Sequence, residues 1–95
     1  MNKHQIKHLR TLAHNLKPVV MLGQNGLSEA VIEEIKTTLN DHELIKVQIG
    51  GKDKAERSQI VNRVCTQTLC EHIYSVGKQA VFFKVSKKKL IALPK

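Results

Sequence analysis

Two sets of residues have the types and spacing to do chemistry. Gly23-Gln24-Asn25-Gly26 lies between an apolar run, Val19–Leu22, and a helical pattern opened by Ser28. Glycines let a ligand approach the backbone closely, and the start of the following helix offers free N–H groups and a positive dipole end. A loop of this form can clamp a nucleotide backbone, although two glycines around a turn are more often only a turn. The second set is Lys3, Lys7, Arg10, His14 and Lys17, at spacings of four, three, four and three. On a helix this is one continuous stripe of bases. Lys52, Lys54 and Arg57 extend it near the start of a later helix. Together these groups point to phosphate on a polyanion.

Other chemistries fit less well. His4 and His8 are one helical turn apart, but no acid or cysteine joins them on that helix, as a zinc site would want. Cys65-x4-Cys70-x-His72 has no familiar metal spacing, so both cysteines read as reduced thiols at the core boundary. Ser28 reads as a helix cap, and Glu29, Glu33, Glu34 and Asp41 read as the polar face of a helix. There is no Walker or Rossmann fingerprint. No catalytic group, cofactor, metal or small-molecule substrate is expected.

The charge distribution agrees. The chain has 95 residues, 16 Lys+Arg and 8 Asp+Glu, for a formal charge of +8. Residues 1–28 carry Lys3, Lys7, Arg10 and Lys17 and no acid; residues 78–95 carry six lysines and no acid. The acids concentrate between Glu29 and Glu43. A solvated surface mixes signs, whereas a face that binds polyanions does not. The length allows one domain, residues 1–95, with 86–95 a basic extension whose order the sequence leaves open. No stretch approaches the ~20 apolar residues of a membrane span, and no apolar signal core is present, so a cytoplasmic protein is expected. With 3% aromatic residues and no Trp, a base-stacking platform is not expected.

The periodicities place these groups on elements. Ile6, Leu9, Leu12, Ala13 and Leu16 share one arc of a helix over 2–16, ended by Pro18. Val19–Leu22 reads as a short buried strand. Ser28 caps a helix over 29–41 with Val31, Ile32, Ile35 and Leu39 inward. Leu44–Ile49 is a half-buried strand, and Asp53 caps a helix over 53–69. Ile73–Val76 and Ala80–Val85 form a hairpin through Gly77-Lys78. The order α-β-α-β-α-β-β predicts an α/β two-layer sandwich: a four-stranded mixed sheet with three helices.

The run Leu9-x-x-Leu12-Ala13-His14-x-Leu16-Lys17-Pro18-Val19-Val20-Met21-Leu22-Gly23-Gln24-Asn25-Gly26-Leu27-Ser28-Glu29 closely resembles the opening of the CRM domain (chloroplast RNA splicing and ribosome maturation). His42–Val47 and Val76-Gly77-Lys78 resemble its second strand and its hairpin turn. The likeness runs from residue 3 to about 85 and is greatest to the stand-alone bacterial, YhbY-type form. It implies a fold similar to the C-terminal domain of translation initiation factor three. It also implies RNA binding through the GxxG loop and neighbouring basic surface, and association with precursors of the large ribosomal subunit. Two positions depart from the family. Leu69 stands where a glycine often follows the third helix. Phe82-Phe83-Lys84-Val85 replaces a common Leu-Tyr-Arg-Pro, so Lys84 keeps a cation for RNA but loses the bidentate guanidinium fork.

The expected function is that of a monomeric, non-enzymatic RNA-binding assembly factor for the large subunit. The rival from another class is a protein-interaction module whose acidic second helix docks a basic ribosomal protein.

Overall fold

Each helix begins at a side-chain cap. In α1 (Lys3–Ala13) the Gln5 N–H donates to Asn2 Oδ1 at 2.9 Å, and the Asn2 N–H donates back to Gln5 Oε1 at 3.0 Å. Ser28 Oγ accepts from Val31 N–H at the start of α2 (Glu29–His42), and Asp53 Oδ1 accepts from Glu56 N–H at the start of α3 (Lys54–Thr68). The strands are β1 (Pro18–Met21), β2 (Leu44–Gln48), β3 (Glu71–Val76) and β4 (Gln79–Phe83). This is a computed structural model, and it describes residues 1–22, 26–50 and 53–94.

The sheet order is β1-β2-β4-β3. β1 pairs parallel with β2, while β4 pairs antiparallel with both β2 and β3. The hairpin therefore inserts its second strand into the middle of the sheet. Gly77, at φ +57, supplies the left-handed residue of its turn. The α/β class, the element order and the mixed four-stranded sheet are as expected.

Strand alternation builds a core on each face. On one, α2 and α3 cover Val20, Ile45, Val47, Ala80 and Phe82 with Ile35, Leu39, Val61 and Val64. On the other, α1 sets Leu9 and Ala13 against Leu44, Ile73, Val81 and Phe83. α1 thus adds a partial third layer, because odd and even positions of β2 and β4 are both apolar and each face needs cover.

Three details differ from the sequence reading. α1 ends three residues early, at Ala13, leaving residues 14–17 to turn the chain into Pro18. Leu12 and Leu16, expected inside, are 41% and 36% exposed. β1 is an edge strand covered on one face only: Val20 is 1% exposed, whereas Val19 and Met21 are 50% and 67% exposed.

α3 ends on Leu69 at φ 58, a left-handed position that favours glycine. Lys84 Nζ donates to the Thr68 carbonyl oxygen at 2.9 Å beside it. Lys84 therefore caps the third helix, a role its cation suits at a helix C-terminus.

Candidate nucleic-acid interface

α1 crosses the sheet with one flank facing a long, open concavity of about 1050 Å³. Lys3, Lys7, Arg10 and His14 line it from the helix, all four exposed. The sheet supplies its floor: Lys46 of β2, Gln79 of β4, and Tyr74 and Val76 of β3. Four of the five bases in the helix stripe therefore share one groove with Lys46, and among the described residues no carboxylate lines it. Lys17 is turned away. It lies with Leu12, Leu16, Val19, Leu44 and Ile91 around a smaller apolar groove of about 490 Å³, which Lys46 also borders.

A bulge shapes the floor. His72 pairs with Phe82 and Tyr74 with Val81, so Ile73 is an extra residue in β3. The shift puts Ile73 and Tyr74 on the α1 side of the sheet together. Without it, Tyr74 would face α3. As placed, the half-buried Tyr74 ring lies under Arg10, whose guanidinium carbon is 4.9 Å from the ring centre. That cation–π contact is worth about 0.5–1 kcal/mol at an exposed site, and it aims the guanidinium into the groove. The sequence reading singles out neither Lys46 nor Tyr74. A signal for Lys46 exists in the polar alternate positions of Leu44–Gln48; that for Tyr74 depends on the bulge.

Part of the groove is lined from the end of the sheet that carries the hairpin turn. Val76 and Gln79 flank the hairpin turn. The Lys78 carbonyl oxygen accepts from Ile49 N–H (2.7 Å) and Gly50 N–H (3.3 Å), tying that turn to the exit of β2. Because β1 runs parallel to β2, the segment leading to Gly26 leaves from the same end. Gly26 has φ +70 and open space where a Cβ would stand. The starts of α2 and α3 follow there, with Lys54 exposed and Arg57 half-buried. Gly23, Gln24, Asn25 and Lys52 lie outside the described residues. Lys84 is at the opposite end, bonded to Thr68.

The remaining candidate chemistry stays out of this site. Burial pushes the Cys65 thiol up to about 12 and raises Cys70 as well, the opposite of what a nucleophile needs. His72 is lowered by burial and bonds Ser75 Oγ at 2.8 Å. Among the described residues, no group of three His, Cys, Asp or Glu side chains converges on a metal position, and no helix is long and apolar enough to cross a membrane.

The sequence model of the CRS1 / YhbY (CRM) domain matches residues 1–84. The chain belongs to this family. It is 40% identical over 95 residues to a Haemophilus influenzae chain named RNA-binding protein, covering 100% of this chain and 96% of that one. It is 34% identical over 88 residues to a Pseudomonas aeruginosa chain named a probable RNA-binding protein, covering 93% and 85%. The solution structure of a Staphylococcus aureus protein superposes with a TM-score of 0.85 at 32% identity, over 99% of both chains. The CRM match ends at Lys84, so the segment after β4 lies outside it.

Proposed function

We propose that this CRM protein is a non-enzymatic RNA-binding factor that associates with precursors of the large ribosomal subunit and acts in its assembly. One observation carries the reading: Lys3, Lys7, Arg10, His14 and Lys46 line a single groove in which, among the described residues, no carboxylate stands. The names of the relatives support RNA as the polyanion. The backbone of structured RNA lies along the groove, with further contacts from Gly23, Gln24, Asn25, Gly26, Lys52, Lys54 and Arg57. Phosphate contacts release counterions, so affinity falls steeply with salt. Four to six contacts give a slope of roughly −3 to −5 in log affinity against log salt. Titrating large-subunit ribosomal RNA from about 50 to 300 mM KCl measures it, and a slope near zero would remove the electrostatic reading.

Tyr74 enters this reading through Arg10. Replacing Tyr74 with Ala leaves the guanidinium without its platform and should weaken RNA binding several-fold. Tyr74→Phe keeps the ring and should bind as the parent does. Equal affinity for Ala and Phe variants of matched stability would show that Arg10 needs no positioning.

A further inference from the structure

The segment beyond the family match is held by one buried carboxylate. Glu43 is 0% exposed. Its Oε2 accepts from Ser86 N–H and Ser86 Oγ–H, both at 2.6 Å, and its Oε1 accepts from Ile91 N–H at 2.9 Å. Its carbonyl oxygen accepts from Lys84 N–H at 2.9 Å. Residues 86–91 are thus a loop closed at both ends on a single side chain. Beyond it, Ile91 and Leu93 pack on the α1-side core, and Gln5 Nε2 donates to Pro94 O at 3.1 Å.

At the tip stand Lys87, Lys88 and Lys89, all exposed. The tip is a tight turn: Lys89 N–H donates to Ser86 O, Lys88 N–H donates to Ser86 Oγ, and Lys89 sits at φ 48. Among the described residues, none of the three ammonium groups is within salt-bridge distance of a carboxylate. Three adjacent cations in a fixed turn repel one another, so they do nothing for the fold. The hydrogen bonds to Glu43 fix the turn, and a polyanion lying across it would relieve the repulsion.

We infer that the Lys87–Lys89 loop is a second RNA-phosphate site, separate from the groove and built on the Glu43 clamp. The inference rests on the RNA-binding reading above. The loop follows the end of β4 that pairs with the start of β2, whereas the Gly26 loop follows the other end. The five residues of β2, roughly 16 Å, lie between those two ends of the sheet, and none of the three lysines lines the groove.

The test uses the full chain, with Lys87→Gln/Lys88→Gln/Lys89→Gln and Lys7→Gln/Arg10→Gln as separate triple and double variants. All positions are exposed, so folding is expected to be retained and is checked by melting. The probe is large-subunit ribosomal RNA across a KCl series. The triple variant should bind about 10-fold more weakly at 150 mM KCl, with the salt slope shallower by about 2. A Glu43→Gln variant, still carrying all three lysines, should fall between the triple variant and the parent. Unchanged affinity and slope in the triple variant, with weaker binding in the groove variant, would overturn the second site and leave the groove standing. Weaker binding with an unchanged slope would also overturn it. No effect from either variant would overturn the RNA-binding reading itself. Parent binding to anionic-lipid vesicles but not to RNA would assign the lysines to a different partner and overturn both.

Discussion

Reversing two charges on α1, Lys7→Glu with Arg10→Glu, should abolish co-sedimentation with large-subunit precursors at fixed salt. Both side chains line the groove and both are exposed. The change removes two counterion-releasing groups and adds two repulsions, so affinity should fall by about 100-fold or more. The fold should tolerate it, since the substitution gives up the stacking of Arg10 on Tyr74, about 0.5–1 kcal/mol, and a cation in the last turn of α1, about 0.3–1 kcal/mol. The mirror experiment is Glu33→Lys with Glu34→Lys on α2. It breaks an exposed Glu33–Lys36 pair at 3.4 Å, worth little, and adds positive charge. Binding should hold or strengthen. If only the α2 variant failed to co-sediment, the acidic helix would be a docking surface for a basic ribosomal protein, and that reading would displace the RNA groove.

The groove is half legible in the sequence, and the reason is physical. Lys3, Lys7, Arg10 and His14 declare themselves because helical spacing alone puts them on one face, whatever the rest of the chain does. The caps Ser28 and Asp53, and the turn at Gly77, are equally local and fall where expected. What faces the stripe is not local. Tyr74 reaches the groove only because β3 gains a residue against β4, and that depends on pairing register. Lys17 continues the periodicity, yet α1 stops at Ala13, so its side chain leaves the stripe. Lys84 has the right charge, but it stands just past the end of β4, where its ammonium meets the Thr68 carbonyl at the end of α3. Glu43 reads in the sequence as one more acid of the negative segment around α2. Its partners lie more than forty residues further on, in a tail whose order its own sequence does not reveal.

That buried acid should make the stability sensitive to pH. Burial alone would raise the Glu43 carboxyl, but the hydroxyl and N–H of Ser86 and the N–H of Ile91 outweigh it and hold it at about 2. The ordinary value is 4.5, so the folded protein binds the proton less readily than the unfolded chain. The resulting stability is fully present above pH ~4.5 and disappears as pH falls towards ~2, through the folded value. Glu43→Ala should cost about 3 kcal/mol at pH 7, because it leaves three donors without their charged acceptor. Glu43→Gln keeps the shape and one acceptor oxygen, so it should cost less and should remove the acid-sensitive part of the melting curve. The check is thermal unfolding of the parent and the Gln variant from pH 7 to pH 2. The parent's advantage should be constant at neutral pH and shrink below pH ~4.5, as the tail that Glu43 clamps comes free. An advantage that stayed constant to pH 2 would mean that the carboxylate charge contributes nothing and that the packing of Ile91 and Leu93 and the Gln5–Pro94 hydrogen bond hold the tail.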